Sequence, residues 1–207
     1  MDMVMIRHGM TAWNEAGRIQ GHTDIPLCAA GRRALAGRWL PARFVSYRVY
    51  SSPLVRAVET AALLGLGAPL LDRRLMEMHW GEWEGEIRAS LAAADPDGVA
   101  RNTARGRDFR PPGGESPREV QARIVDWARS VARLQSGGSS VARPPSGVVA
   151  VTHKGVIKSM LGLAFDWDLT GKNPVRLDWT CAHRFRFDPG TGECGLEEPN
   201  IRLDAHE

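Results

Sequence analysis

Two short apolar runs that each lead into a histidine constrain this chain more than any other feature. Met3-Val4-Met5-Ile6 passes into Arg7-His8-Gly9, and Val148-Val149-Ala150-Val151 passes into Thr152-His153-Lys154-Gly155. Apolar runs of this length without polar alternation suit parallel strands covered on both faces. In open sheets of that kind ligands bind beyond the carboxyl ends of the strands, so both imidazoles are expected on one rim.

The rest of the chain supplies the helices such a sheet requires. Helical spacing predicts one helix from Leu27 to Leu40, stopping before Pro41, and a second that follows the strand Tyr47–Tyr50 through Ser51-Ser52-Pro53 and runs to about Leu66. A short strand is expected at Pro69–Leu71, and Met76–Gly85, with Trp80 and Trp83 between glycines, reads as an irregular rim segment. Glu86–Ala94 is predicted helical, then broken at Asp95-Pro96-Asp97-Gly98; the span 86–114 reads as a lid-like insertion. Glu115–Leu134 carries Val120, Ile124, Trp127, Val131 and Leu134 on one stripe. The Gly/Ser/Pro-rich stretch Ser136–Gly147 reads as a flexible surface loop, a helix follows His153 to about Leu163, and Cys181–Phe187 with Gly195–Leu203 reads as an antiparallel hairpin. The expected fold is α/β: a mostly parallel central sheet flanked by helices, closed by that hairpin, in one domain spanning 1–207.

Composition excludes several functions. With 27 basic and 24 acidic residues the net charge is only +3, and no basic run interleaved with aromatics marks a nucleic-acid surface. No apolar run approaches the ~18 residues of a membrane span, and the charged N-terminus does not read as a signal peptide; the expected location is the cytoplasm. Cys28, Cys181 and Cys194 are scattered and odd in number, which points to reduced thiols. The six histidines show no metal-ligand spacing, so neither metal nor other cofactor is expected. The oligomeric state is left open.

The ordered series Arg7-His8-Gly9, Thr11-Ala12-Trp13-Asn14, Gly17-Arg18-Ile19-Gln20-Gly21, Ser51-Ser52-Pro53 with Arg56 and Glu59-Thr60, Glu77 with Gly81-Glu82-Trp83-Glu84-Gly85, Pro112-Gly113-Gly114-Glu115-Ser116 and Thr152-His153-Lys154-Gly155 resembles the histidine phosphatase superfamily. Within it the chain looks like the phosphoglycerate mutase-like branch, and among its small phosphatases like α-ribazole phosphatase. The resemblance implies that His8 takes the phosphoryl group as phosphohistidine, that Arg7, Arg56 and a cationic His153 cradle it, and that Glu77 acts as proton donor. It also implies substrate contacts from Asn14, Gln20 and Gly21. Glu84 is read as bracing its loop, while His22, His79, His183 and His206 are left without a catalytic role.

Two residues depart from the family pattern. Met10 stands where glutamate is usual and Lys154 where a small residue is, and both are expected near the pocket, with Lys154 directed to solvent rather than substrate. Arg101, Arg105, Arg107 and Arg110 in the lid are the candidates for reading an acidic substrate, against a solvated loop. The short lid and Gln20, where glycolytic mutases have a small hydroxyl residue, favour a phosphomonoesterase acting on a small phosphorylated metabolite. The alternatives are a cofactor-dependent phosphoglycerate mutase and a non-catalytic phosphate-binding module.

Overall fold

A computed structural model describes residues 1–136 and 147–205; most of the expected flexible loop at 136–147, and His206, lie outside the described residues. In chain order the elements are β1 (Asp2–Arg7), α1 (Ala12–Glu15), α2 (Ala29–Leu35), β2 (Arg38–Trp39), β3 (Arg48–Ser51), α3 (Val55–Leu63), β4 (Leu70–Leu71), α4 (Arg88–Ala94), α5 (Pro96–Thr103), α6 (Pro117–Ser136), β5 (Gly147–Thr152), α7 (Lys154–Ala164), β6 (Ala182–Phe187), β7 (Cys194–Ile201) and β8 (Asp204–Ala205). A six-stranded sheet has the order β4-β3-β5-β1-β6-β7. Its first four strands are parallel, and β6 and β7 close it as an antiparallel hairpin.

Alternation along β1 divides the core. Met3 and Met5 face α6 and α7 in a cluster with Ile124, Trp127, Ile157 and Phe185, whereas Val4 and Ile6 face the opposite layer with Leu27, Leu35 and Val149. Trp127 is fully buried and meets Tyr50 edge-on at 5.5 Å. The apolar stripe of α6 is buried from Val120 to Val131, but Leu134 is exposed, so the stripe ends before the helix does.

Two helix expectations are corrected. Instead of running to Leu40, α2 stops at Leu35, because Gly37 takes a φ of 67° and turns the chain into β2, which pairs with β8. In the expected lid the chain does not stay irregular after Asp95: its carboxylate accepts from Gly98 N at 2.9 Å and Pro96 opens α5. Among the described residues no helix is long and apolar enough to cross a membrane.

His183 on β6 is fully buried; its Nδ1 accepts from Asn200 N at 3.2 Å, and Nε2 has no partner. Burial pushes its pKa down from 6.5 to about 4, against the opposing pull of Asp178. Below pH 6.5 the unfolded chain takes up a proton that the folded chain refuses until about pH 4, so stability is full above that window and falls as pH drops through it. His183→Gln is expected to remove about one proton from this dependence, flattening the slope by about 1.4 kcal/mol per pH unit. Denaturant melts at pH 5 and pH 7 check it, and an unchanged slope overturns it.

Candidate active site

The register of β1 on β5 sets the site. Arg7 lies opposite Thr152, and His8 N donates to Thr152 O at 2.9 Å, so the residues after the two strands stand side by side. The His8 and His153 rings are 5.1 Å apart between centroids. His8 Nδ1 lies 2.7 Å from Gly9 O. A carbonyl only accepts, so Nδ1 carries the proton and the neutral ring keeps its lone pair on Nε2. Burial, then Arg56 and Arg7, drive the His8 pKa well below 6.5, which favours that neutral, nucleophilic form.

His153 is likewise driven well below 6.5, by burial and then by Arg56 and His8. Burial and the neighbouring cations thus disfavour its cationic form, and negative charge from a bound ligand would favour it. Its Nε2 is 2.8 Å from Ser52 Oγ, and its Nδ1 is buried without a partner.

Arg56 is fully buried at the start of α3, with Nη1 donating to Thr23 O and Nη2 to Gly21 O at 2.9 and 2.7 Å. Two of its five N–H groups thus hold the 21–23 loop. Gly21 is off the cavity wall: its φ is 56°, and a Cβ there would lie 1.9 Å from Glu84 Oε1. Glu84 accepts from His22 N, Thr23 N, Thr23 Oγ1 and Trp80 N. Burial pushes its carboxyl upward, and these hydrogen bonds outweigh that and hold it below the ordinary range, as a loop brace requires.

Glu77 lies on the rim segment after a short 3₁₀ turn, with Oε1 accepting from Met78 N at 2.9 Å and from Gly155 N at 3.0 Å. Its carbonyl is held by His22 Nε2 and Arg123 Nη2, and Arg123 is itself anchored on Glu115 at 2.7 Å. Ser52, His22 and Arg123 were missed as positioning residues, because their partners are remote in sequence and no local spacing marks them.

Arg7, His8, Asn14, Gln20 and Glu77 line a cavity of about 440 Å³, the size of a small-molecule site. Asn14 Oδ1 accepts from Thr11 N in the capping box of α1, so its amide N–H groups are what it can offer a ligand. Trp80 and Phe109 form an aromatic wall at 5.5 Å from one another. Lys154 also lines this cavity, with Nζ 5.2 Å from the centre of Trp179, and is exposed, so it borders both the cavity and solvent. Met10 is not on the wall; its carbonyl accepts from Cys28 N. The lid arginines are also elsewhere: Arg101, Arg105 and Arg110 border a second cavity, and Arg107 pairs with Asp166.

A neutral imidazole with a free lone pair, beside guanidinium groups and a pinned carboxylate at strand ends, defines a phosphoryl-transfer enzyme of the α/β class. The family model for the histidine phosphatase superfamily (branch 1) matches residues 3–198, and the chain belongs to that superfamily. It is 36% identical over 182 residues to glucosyl-3-phosphoglycerate phosphatase of Mycolicibacterium vanbaalenii, covering 82% of this chain and 78% of the relative. It is 31% identical over 168 residues to 2,3-bisphosphoglycerate-dependent phosphoglycerate mutase 2 of Gloeobacter violaceus, covering 77% and 73%. Among solved structures, a mycobacterial glucosyl-3-phosphoglycerate phosphatase superposes with a TM-score of 0.74 at 28% identity, over 97% of this chain and 98% of that one.

The close approach of Gly155 to Glu77 is testable. A Cβ at Gly155 would lie 2.3 Å from Glu77 Oε1, so Gly155→Ala is expected to displace the carboxyl while the fold, which must shift only a side-chain end, survives. Phosphatase kcat/KM should fall ~10²-fold with little change in Tm; full activity in a folded variant overturns the positioning role.

Proposed function

We propose that the cavity hydrolyses the phosphomonoester of a small phosphorylated metabolite through a phosphohistidine on His8. The chain is a phosphoric monoester hydrolase, and the observation that carries the mechanism is that His8, with its lone pair on Nε2, lines one cavity together with Arg7 and Glu77. His8 Nε2 attacks phosphorus as the ester P–O bond breaks, and Glu77 gives its proton to the departing oxygen. Arg7 and the remaining N–H groups of Arg56 hold the charge that spreads over the phosphoryl oxygens. His153, Asn14 and Gln20 contribute further hydrogen bonds. In the second half Glu77 takes a proton from water, whose oxygen attacks phosphorus; the N–P bond breaks, and inorganic phosphate and neutral His8 result.

The whole chain works as one unit in this reading, with 86–114 as the lid: Arg88, Thr103, Gly106 and Phe109 from it line the outer cavity. Relatives named for glucosyl-3-phosphoglycerate support a phosphorylated sugar derivative as the substrate class. The mutase relative favours a second reading, phosphoryl return to a second hydroxyl, which predicts that 2,3-bisphosphoglycerate primes interconversion of 3- and 2-phosphoglycerate.

Wild type is expected to hydrolyse p-nitrophenyl phosphate in EDTA and His8→Ala to lose turnover altogether; activity only with added metal overturns the reading. Glu77→Gln separates the proton donor from a merely structural carboxylate. Alkyl phosphates, whose alkoxide must be protonated, should lose ~10²–10⁴-fold in the phosphorylation step, while p-nitrophenyl phosphate, with its stable phenolate, should lose far less. Equal losses on both substrates argue against Glu77 as the acid.

A further inference from the structure

A second cavity, of about 590 Å³, is bordered by α4, α5 and the segment 111–113, and among the described residues none lines both it and the catalytic cavity. Its size suits a small molecule. The wall carries the apolar Trp83, Leu91, Val99, Pro111 and Pro112 together with Arg101 on α5 and Arg105 just past its end. Ala104 and Arg105 keep the right-handed helical backbone, so the two arginines, four residues apart, share one face. Neither has an ion pair among the described residues, unlike Arg107 and Arg110, which are paired with Asp166 and Glu119. Asp108, whose carboxyl feels the charge of Arg105, is already held by Arg118 at 2.6 Å. The one carboxylate on the wall, Asp95, caps the opposite end of α5 through Gly98 N, about 9 Å along the helix axis from Arg101. Two like charges at this spacing repel each other, and an anion between them removes that repulsion.

The same elements wall both cavities. Arg88 of α4 lines the catalytic one, and Leu91 and Ala94 of that helix line the second. Around the end of α5, Thr103 and Gly106 line the first, whereas Asn102 and Arg105 line the second. Trp83 packs on Trp80 and Phe109, the aromatic wall of the catalytic cavity, at 6.5 and 5.7 Å between ring centres. Glu82 N donates to Pro112 O at 2.9 Å, which ties the rim segment to the far wall of the second cavity.

We infer that the second cavity is an effector site for a small organic anion, an oxyanion carried on a flat apolar body. Arg101 and Arg105 hold the oxyanion through charge-assisted hydrogen bonds, and Trp83 with Pro111 and Pro112 covers the body. This site goes beyond the hydrolysis assigned to the catalytic cavity. Its occupant touches Trp83 and α4 directly, so it biases the placement of Trp80, Phe109 and Arg88 on the other side of the shared wall.

The test titrates the whole chain with anilinonaphthalene sulfonate, an unhydrolysable aromatic oxyanion whose fluorescence reports binding. Phenylnaphthylamine, the same rings without the sulfonate, is expected to bind about tenfold more weakly or worse, and raised salt should weaken the sulfonate alone. Replacing both arginines, Arg101→Gln with Arg105→Gln, should raise the Kd of the sulfonate about tenfold, whereas Lys154→Gln, beside the catalytic cavity, should leave it in place. At saturating probe, kcat/KM of wild type for p-nitrophenyl phosphate should change about twofold or more, relative to its own rate without probe, and that change should vanish in the double variant. Equal affinity for the uncharged rings, or binding undiminished in the double variant, overturns the anion site. Binding lost in Lys154→Gln places the probe in the catalytic cavity and overturns it too. Binding with kcat and KM both unchanged overturns the effector role. Fluorescence reads binding without turnover, so a chain that hydrolyses nothing fails the phosphatase reading and still tests the site.

Discussion

The parallel pairing of β1 with β5 is the constraint on which everything else depends. Backbone hydrogen bonding in this register places Arg7 opposite Thr152, and from that alignment follow the neighbouring imidazoles and the passage of each strand into its site loop. A slip of one residue would turn Met3 and Met5 from the α6–α7 layer to the other face, so the apolar core that selects the register also selects the geometry of the site. Folding energy and catalytic alignment are thus set by the same contacts.

Hydrogen bonding then gives two chemically identical rings different settings. Both His8 and His153 are buried beside guanidinium groups and both are driven toward the neutral state. The Gly9 carbonyl fixes the His8 tautomer, leaving its lone pair on Nε2, whereas Ser52 holds His153 at Nε2. The carboxylate is controlled through the backbone, by Gly155 and Met78 N–H groups on its oxygen and by Arg123 and His22 on its carbonyl. Trp80 of the rim segment and Trp167 and Trp179 of the segment after α7 then carry Arg88, Lys158 and Lys154, which line the cavity.

Much of this was legible in the amino-acid order. The β1 and β5 runs, the helix after His153 and the C-terminal hairpin stand out because their signals are local: apolar length, period and turn residues. Arg7, His8, Asn14, Gln20 and Glu77 meet at one cavity because they sit at the end of β1, in the short helix α1 and the loop after it, or on the rim segment. The expectation of Leu27–Leu40 as one helix went astray at Gly37, where a left-handed turn and pairing with the distant β8 outweighed alanine-rich propensity. The lid arginines were the natural candidates for substrate charge by number, yet Arg110 pairs with Glu119 and Arg107 with Asp166.

The sequence by itself determined the strand-helix order, the histidine-ended strands and the family to which the chain belongs, since each is written in runs of adjacent residues. Only the tertiary structure decided which cations line the cavity, Lys154 among them, and that Arg56 braces the 21–23 loop. Those outcomes depend on pairs separated by tens of residues, such as Arg56 with Gly21 and Glu77 with Gly155. Coulombic and hydrogen-bond energies depend on distance through space, and that distance exists only once the sheet has aligned its strands.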